Sequence, residues 1–351
     1  MLEQIIEKVT NGMNSELSDK LGGECPYCHK PAFSYNGKIT CLVCGTQQLT
    51  YVAAMESPEE RGGEKSVIDV LFEIANEYPE IGEKFKPELT EIKKYRNKLL
   101  KINAEATDFY MSELFKKEAA LNYLKCRKIE HLQENYHIGY ASYDLISEYF
   151  KGKYTDKELF DAGLLGRNNK GEYYSYFRNR VLFPLTDSMN RVVGFSGRIF
   201  KKDQNGPKYL NTRATCIFSK KEILYNYANI PAAVNKIYVC EGPLDVLSMT
   251  LAGFYAVCTM GTALSEFQIS LLKQKTGNII LMYDGDEAGQ NAINKALKKD
   301  CTMKALTLPE GIDPDDYFKL YTPYEFGVYE KEHLISGGDW LSKHNETIFD
   351  F

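Results

Sequence analysis

The sequence predicts an α/β protein, α+β overall, in which a small cysteine-containing unit precedes a larger mixed α/β region. From residue 236 onward, short apolar strands alternate with helical segments, a pattern typical of a parallel sheet covered by helices. The stretch 133–235 is mixed and rich in strands, whereas 66–132 has apolar residues at helical spacing. Near the N-terminus, four cysteines form two closely spaced pairs, which is typical of a small metal-stabilised unit.

Length and composition narrow the class of protein. With 351 residues, 44% of them hydrophobic and 26% charged, the chain has the make-up of a globular protein of two or three domains. No apolar run approaches the ~18 residues needed to span a bilayer, and the first residues lack the pattern of a signal peptide. We therefore expect a cytoplasmic protein without a membrane partner. The net charge of −5 says little about nucleic-acid binding, because partners respond to local patches.

The cysteine pairs indicate a zinc site. Two Cys-x2-Cys pairs are separated by twelve residues and consist of Cys25, Cys28, Cys41 and Cys44. Reduced cytoplasmic thiols favour metal ligation over disulfides, and four thiolates satisfy one tetrahedral zinc ion. Because no coordination position stays open, we expect this zinc to be structural. The intervening Phe33, Tyr35 and Lys38 suit stacking on single-stranded bases, and they suit packing in a small zinc-dependent core equally well.

The middle of the chain is read from its periodicity. The charged, glycine-containing stretch 57–65 is expected to be a linker. Within the helical region, apolar residues recur on one face at Ile102, Ala106, Phe109, Tyr110 and Leu114. The segment RVLFPLTDSMNRVVGFSGRIF predicts two strands joined by a turn at Asp187–Asn190.

Four strands and three helices are predicted after residue 235. The strands are KIYVCEG, FYAVCTMG, NIILMYDGD and TMKALTLPEG, and the helices between them are PLDVLSMTLAG, SEFQISLLKQKTG and EAGQNAINKALKKD. Cys240 and Cys258 lie in apolar strands and are expected to be core residues. The last residues, which include Trp340, suggest a short helical tail.

Acidic residues follow the ends of these strands. Glu241 follows the first strand, and Asp284 and Asp286 follow the third. Ligands of open α/β sheets gather at the carboxyl ends of strands, so three carboxylates would meet there, where a Mg²⁺ or Mn²⁺ ion would offset their repulsion. A further acidic set could add a ligand: Asp313, Asp315 and Asp316. In the alternative interpretation, the Asp-x-Asp segment is only a turn and Asp286 caps the next helix.

Between residues 178 and 221 the chain is strongly basic. This stretch contains ten basic residues and only two acidic ones, Asp187 and Asp203. The basic residues are Arg178, Arg180, Arg191, Arg198, Lys201, Lys202, Lys208, Arg213, Lys220 and Lys221. Such a patch beside an acidic metal site suits a nucleic-acid backbone and nucleoside triphosphates. A solvated charged face is the alternative.

The acidic motifs resemble a known domain. Residues 236–316 are similar to a TOPRIM domain, whose signature is Glu-Gly after one strand and Asp-x-Asp after a later one. Further motifs resemble, in the same order, the polymerase domain of bacterial-type (DnaG-like) DNA primases: ENYHIGYA, LFDAGLL, RVLFPLTD with RVVGFSGRIF, GPKYLNT, FSKKEILYNY, CEGPLDVLSM and MGTALSEFQISLL. The resemblance covers roughly 100–320 and, more loosely, the cysteine unit.

The resemblance implies an activity and roles for residues. A primase makes short RNA primers on single-stranded DNA from ribonucleoside triphosphates, with two or more catalytic Mg²⁺ or Mn²⁺ ions. It implies Glu241, Asp284 and Asp286 as catalytic metal ligands, with Asp313 or Asp315 in support, and Glu241 could instead accept a proton. The basic positions Arg180, Arg198, Lys208, Lys220 and Lys221 would bind template and nucleotide, together with Tyr209 and Asn211. A replicative helicase and other replisome proteins are the implied partners.

The same resemblance implies a domain order. We expect a zinc ribbon at 1–56, a linker with helices at 57–98 and a basic subdomain of the polymerase domain at 99–235. A Rossmann-like, parallel-sheet TOPRIM subdomain at 236–325 and a tail at 326–351 would follow.

The chain departs from the family in several respects. Many bacterial primases use three cysteines and a histidine for zinc, whereas four cysteines are found in some phage primases. The chain also ends soon after the TOPRIM core and leaves no room for a helicase-binding domain, so a phage or mobile-element primase, or a truncated chain, would fit. Two rival functions stay open: another TOPRIM enzyme, such as a DNA nuclease or a topoisomerase fragment, and a non-catalytic adaptor that binds single-stranded DNA.

Overall fold

The computed structural model describes residues 2–21, 33–35, 38–41, 46–48, 67–201, 206–261, 264–284, 286–309 and 311–345. The chain divides into two compact units, Met1–Leu99 and Leu100–Phe351. Among the helices of the described residues, none combines the length and the apolar character that a membrane crossing requires.

The first unit combines helices with a small antiparallel sheet. Helix α1 (Leu2–Leu21) buries Val9, Met13 and Leu17, whose spacing of four places them on one face. The sheet has the order β1-β2-β3, and its strands are β1 (Phe33–Tyr35), β2 (Lys38–Cys41) and β3 (Thr46–Gln48). Three helices follow: α2 (Val67–Glu77), α3 (Pro79–Lys84) and α4 (Lys86–Phe115), the last of which passes the boundary between the units.

The second unit begins with the rest of α4 and with α5 (Glu118–Cys126). The apolar face predicted for α4 is confirmed, because all of its members are less than a tenth exposed: Ile102, Ala106, Phe109, Tyr110 and Leu114. Tyr110 packs edge-on against Phe195, so this face of α4 covers the antiparallel sheet that follows.

That sheet is antiparallel throughout and has the order β4-β7-β8-β9. Its strands are β4 (Gly139–Ala141), β7 (Arg180–Thr186), β8 (Val192–Arg198) and β9 (Tyr209–Asn211). The predicted hairpin between β7 and β8 is present, and Asn190 in its turn has a left-handed backbone with φ of 61°. Between β4 and β7 lie α6 (Leu145–Tyr149), α7 (Asp156–Asp161) and the hairpin of β5 (Leu165–Arg167) and β6 (Tyr173–Ser175).

The parallel sheet predicted for the C-terminal part is present, with the order β11-β10-β12-β13-β14. The first four strands are parallel, and they are β10 (Ile237–Cys240), β11 (Ala256–Cys258), β12 (Ile279–Leu281) and β13 (Lys304–Ala305). The helices that connect them are α8 (Pro243–Leu251), α9 (Glu266–Lys275) and α10 (Glu287–Lys299). Beyond β13 lie α11 (Pro314–Leu320), α12 (Pro323–His333), β14 (Ile335–Ser336) and α13 (Gly337–Asn345).

Both faces of the parallel sheet are buried, as an α/β sheet requires. Along β10, Tyr238 and Cys240 contribute to one core cluster and Ile237 and Val239 to the other, because successive side chains of a strand point to opposite faces. The first cluster also contains Phe183 of the antiparallel sheet. The two sheets of this unit therefore share a core. Cys240 and Cys258 are fully buried, as predicted.

The C-terminal stretch 326–351, predicted to be a tail, contributes a strand to the parallel sheet and a side chain to the core. Strand β14 pairs antiparallel with β13, so it forms the edge of the sheet. Trp340 of α13 is 3% exposed in the second core cluster, and its indole N–H donates to Asn294 Oδ1 over 2.6 Å. The strand predicted for TMKALTLPEG is shorter than expected. Only Lys304–Ala305 forms a strand there, and it pairs with β12 on one side and β14 on the other.

Candidate active site

Glu241 and Asp284 meet at the carboxyl edge of the parallel sheet. Glu241 follows β10 and Asp284 lies three residues after β12, and these strands are paired neighbours. The backbone N–H of Asp284 donates to Glu241 Oε1 over 3.1 Å. Both line a cavity of ≈ 150 Å³. Burial raises the pKa of each carboxyl group. The negative charge of Asp284 raises the pKa of Glu241 further, and that of Asp313 does the same for Asp284.

Asp286 has a different position. It is the N-cap of α10, and its Oδ1 accepts a hydrogen bond of 2.8 Å from the backbone N–H of Gly289. Among the described residues that line the cavity, Glu241 and Asp284 are present and Asp286 is not. Its charge still raises the pKa of Glu241. The capping interpretation of Asp286 is therefore confirmed as far as its hydrogen bond goes, and its role as a metal ligand stays a prediction.

Asp245 is an additional carboxylate of the cavity that the sequence analysis did not single out. It lies in the first turn of α8, is 8% exposed, and accepts a 2.9 Å hydrogen bond from the backbone N–H of Gly242. Burial raises its pKa well above the usual range, and the charges of Asp313 and Asp284 act in the same direction. One signal was available, because Glu-Gly followed three residues later by an acid places that acid at the start of a helix.

The third acidic set is brought to the same place. Ligand atoms of Asp313, Asp315 and Asp316 lie within 4.8 Å of one another, and the first two line the cavity. Asp313 caps α11 by accepting from the N–H of Asp316 over 2.7 Å. Among the described residues, the lining of the cavity therefore contains five carboxylates in all, those of Glu241, Asp245, Asp284, Asp313 and Asp315.

Asp315 is already well supplied with donors. It is 3% exposed and accepts from Ser248 Oγ over 2.7 Å, from Lys319 Nζ over 2.8 Å and from the Arg127 guanidinium. Burial acts to raise its pKa, but these donors and the charge of Arg127 outweigh burial and hold the pKa below its usual value. In this arrangement Asp315 is a carboxylate in a buried ion-pair network, and Arg127 joins it to the cavity wall.

Cations and a tyrosine complete the cavity. Arg198, Lys208 and Tyr209 all line it. Arg198 is 9% exposed, donates from Nε to Tyr123 Oη over 2.6 Å, and lies 4.9 Å from the centre of the Tyr209 ring. The positive charge of Lys208 acts to lower the pKa of both Glu241 and Asp284, which places it next to them. The lining of one cavity thus carries both carboxylates and cations.

A second, larger cavity of ≈ 430 Å³ lies along β9. Tyr209 lines both cavities, and Asn211, Arg213 and Lys220 line this one. The Asn211 side chain is held at both ends, because its Oδ1 accepts from Ser196 and its Nδ2 donates to the Met260 carbonyl. Burial lowers the pKa of Lys220, as expected for a half-buried ammonium.

Two other predicted binding residues lie apart from these cavities. Arg180 is 5% exposed and donates 2.9 Å hydrogen bonds to the carbonyls of Gly197 and Pro207. Burial lowers its pKa. Lys221 is exposed, and its carbonyl accepts from Ser265. Arg180 supports the loop that enters β9 in this structure, and its binding role is a prediction.

Family models and solved structures agree with this architecture. The model for the N-terminal domain of the DNA primase catalytic core matches residues 109–231, and a Toprim-like model matches 238–318. A DNA primase domain from Pseudomonas aeruginosa is 31% identical, with a TM-score of 0.67 over 72% of this chain and 84% of that one. A DnaG primase catalytic domain solved with single-stranded DNA is also 31% identical, with a TM-score of 0.65 over 72% and 86%. This chain belongs to the family of DnaG-type DNA primases.

The curated primases that match are longer. The DNA primase of Staphylococcus epidermidis is 35% identical over 297 residues, which cover 80% of this chain and 48% of that protein. This chain spans about half the length of the curated primases it matches. The rival assignment to another class of TOPRIM protein is not favoured, because the segment upstream of the Toprim-like match fits the model of the DNA primase core and the curated relatives are DNA primases.

The zinc candidates of this primase-family chain lie outside the described residues. Cys25, Cys28 and Cys44 are not described, and of Cys41 only the backbone in β2 is described. The zinc site stays a prediction. Arg127 is the other functional residue that the sequence analysis did not find, since its partner Asp315 is 188 residues away in the chain.

Proposed function

We propose that this chain is a DNA primase, a nucleotidyltransferase that joins ribonucleotides into short RNA primers on a single-stranded DNA template. The observation that carries the proposal is the cavity whose lining contains Glu241, Asp284 and Asp313 together with Arg198 and Lys208. A nucleotidyltransferase needs this pair of charges, because it must hold cationic metal and anionic triphosphate in one place.

The carboxylates fit a hard divalent cation. Glu241 and Asp284 are half-buried, and burial together with nearby carboxylates raises the pKa of each. Oxygen donors in such a group match Mg²⁺ or Mn²⁺. We assign Glu241, Asp284 and Asp313 as ligands, with Asp286 and Asp315 in support. When bound, two or more such ions supply Lewis-acid activation of a 3′-hydroxyl and neutralise charge on the triphosphate.

The cations of the cavity would bind the nucleotide. Arg198 is held by Tyr123 and flanked by Tyr209, so its guanidinium is fixed before a substrate arrives. A fixed, partly desolvated cation binds a phosphate more strongly than a flexible one, because less entropy is lost and less water is displaced. Lys208 is exposed beside the carboxylates and would contact the same triphosphate.

The cavity along β9 would continue the binding surface towards the template. Arg213 and Lys220 line this cavity and have a pKa lowered by burial, and among the described residues no ion pair joins Lys220 to a carboxylate. Arg180 lines neither cavity, but burial lowers its pKa as well. Burying a cation without a counter-charge is unfavourable, and a phosphate backbone would offset this cost. The similar catalytic domain solved with single-stranded DNA supports a DNA strand as the ligand of this chain. Lys221 and Asn211 would assist.

The remaining partners follow from the family. A structural zinc held by Cys25, Cys28, Cys41 and Cys44 would help to read the template, and a replicative helicase with other replisome proteins would recruit the enzyme. These parts of the proposal rest on the sequence and on family membership.

The proposal is tested by primer synthesis on single-stranded DNA with ribonucleoside triphosphates and Mg²⁺. We expect labelled dinucleotides from the unaltered chain, and a loss of about 100-fold or more for Glu241→Gln or Asp284→Asn, since metal-assisted charge stabilisation is worth several kcal/mol. Glu332→Gln, on the exposed face of α12, is the control and should keep full activity. Wild-type-like synthesis by either active-site variant would contradict the assignment, and shortened DNA instead of new RNA would indicate a nuclease.

A further inference from the structure

A lysine occupies a strained backbone position at the end of α5. The N–H of Lys128 donates to the Lys125 carbonyl over 2.9 Å, and the N–H of Ile129 donates to the Leu124 carbonyl over 3.1 Å. This pair of hydrogen bonds is the Schellman helix ending, and Lys128 lies at its left-handed position with φ of 58°. Glycine is favoured there because a Cβ crowds the backbone. A strained residue of this kind is a reason to look for a function of its side chain.

Lys128 lines a cavity of ≈ 220 Å³ that neighbours the acidic one. Arg127 and Asp315 line both cavities, so their ion pair is the wall between them. Lys319, which donates to Asp315 over 2.8 Å, lines the second cavity as well. Three cations and one carboxylate thus surround this space, in a chain whose net charge is −5. Among the described residues, no ion pair engages the ammonium of Lys128.

The rest of this cavity is apolar and aromatic. Phe318 and Tyr321 contribute to its lining, and Tyr321 is 41% exposed. The adjoining Leu320 and Tyr324 are 67% and 81% exposed. Cations beside accessible aromatic rings form the pattern that binds an unpaired nucleic-acid strand, where phosphates meet the cations and bases stack on the rings.

We propose that this second cavity binds the single-stranded DNA template beyond the catalytic cavity, with Lys128 on a phosphate and Tyr321 or Tyr324 against an unpaired base. The proposal rests on the proposed primase function, which places the nucleotide in the neighbouring cavity and template DNA along β9. The occupant is the template rather than the primer, because primer bases are paired with the template and cannot stack on a side chain. The two cavities are adjacent, because Arg127 and Asp315 line both of them.

The first test measures binding of a fluorescent single-stranded DNA of about 15 nucleotides as a function of salt, without nucleotides or metal. Removing one phosphate contact to a single strand lowers the slope of log K against log salt by about 0.7. We expect this change, with about fivefold weaker binding, for Lys128→Gly, and wild-type values for Lys128→Arg. His137→Gly is the matched control, because exposed His137 has φ of 50° and its replacement relieves the same backbone strain away from the cavity. Both glycine variants should melt no lower than the unaltered chain.

The second test locates the DNA. A template with 4-thiothymidine is irradiated with the full chain, and the cross-linked peptides are identified by mass spectrometry. We expect a cross-link within Pro314–Tyr324 that weakens at least severalfold in Lys128→Gly and not in His137→Gly. Cross-links to residues 178–221 alone, with an unchanged salt slope in Lys128→Gly, would overturn the proposal and leave the primase function intact. Because neither test involves catalysis, an absence of primer synthesis is a separate failure of the proposed function.

Discussion

Asp245 carries its carboxylate into a place where burial and the charges of Asp313 and Asp284 all oppose ionisation. Its Oδ2 nevertheless has a structural task, since it accepts the N–H of Gly242 at the start of α8. Repulsion among closely spaced carboxylates lowers the stability of the metal-free protein. The same carboxylates attract cations strongly.

Asp245→Asn should therefore stabilise the metal-free protein. A carboxyl group whose pKa is raised in the folded state destabilises the protein once it must ionise. The free energy of unfolding therefore falls as the pH rises from the ordinary aspartate pKa to the raised pKa of the folded state. Asparagine avoids this loss and keeps an acceptor for Gly242, so we expect a gain of about 1–2 kcal/mol at pH 7.5 that shrinks towards pH 4. Urea denaturation in EDTA at both pH values measures it. A gain that is equal at the two pH values would show that ionisation of Asp245 is not its cause.

Gly289 positions Asp284 through the absence of a side chain. A Cβ at Gly289 would lie 2.1 Å from the backbone oxygen of Asp284, so the strand end must move if α10 carries alanine here. We expect Gly289→Ala to cost about 1–3 kcal/mol of unfolding free energy and to reduce dinucleotide synthesis. Gly327→Ala is the control, because nothing lies within 4 Å of its Cβ, and it should stabilise α12 by about 0.5–1 kcal/mol. Equal behaviour of the two variants in urea and in synthesis would refute this role.

At the scale of elements, the parallel sheet depends on its last strand and helix. Strand β13 has only two residues, and an edge that short offers few hydrogen bonds. Strand β14 pairs with it on its outer side and so covers the exposed edge. Helix α13 then packs Trp340 into the core cluster that lies on one face of the sheet. The acidic site lies at the ends of strands in this same sheet, so its geometry depends on them.

Trp340→Ala should show that α13 belongs to the folded core. The buried indole and its hydrogen bond to Asn294 are both lost, and removal of a buried aromatic side chain costs about 3–5 kcal/mol. Tyr324→Ala removes a ring that is 81% exposed and should change stability by less than about 0.5 kcal/mol. Urea midpoints of the two variants make the comparison, and a loss below 1 kcal/mol for Trp340→Ala would contradict the core assignment.

At the scale of the whole molecule, charge is strongly segregated. The chain is acidic overall, yet ten of its basic residues lie between 178 and 221 against two acidic ones. Folding places Arg198 and Lys208 of this stretch against the carboxylates of the parallel sheet. In the proposed function, the local field of these cations would direct DNA and triphosphates to the site despite the negative net charge of the chain.

The zinc prediction also belongs to the whole molecule. We expect about one zinc ion per chain by elemental analysis and almost none in a Cys41→Ser, Cys44→Ser double variant, since two thiolates alone do not complete a tetrahedral site. The thermal unfolding of Leu100–Phe351 should persist in that variant, because this stretch is a compact unit with core clusters of its own. Full zinc content after loss of both cysteines would disprove the four-cysteine assignment.

The sequence by itself determined the features that depend on local pattern. Alternating strands and helices follow from apolar periodicity, and in a parallel sheet this pattern alone brings the strand ends of Glu241 and Asp284 to one edge. Three other features could also be predicted from the sequence: the apolar face of α4, the hairpin of β7 and β8, and the basic stretch. Each depends only on residues that are close together in the chain.

Only the tertiary structure decided the features that join distant parts of the chain. It placed Asp245 in the cavity and paired Asp315 with Arg127 across 188 residues. It also paired β14 with β13. No local pattern encodes these contacts, since they depend on which elements pack side by side and on how burial shifts the balance between charge, hydrogen bonding and solvation.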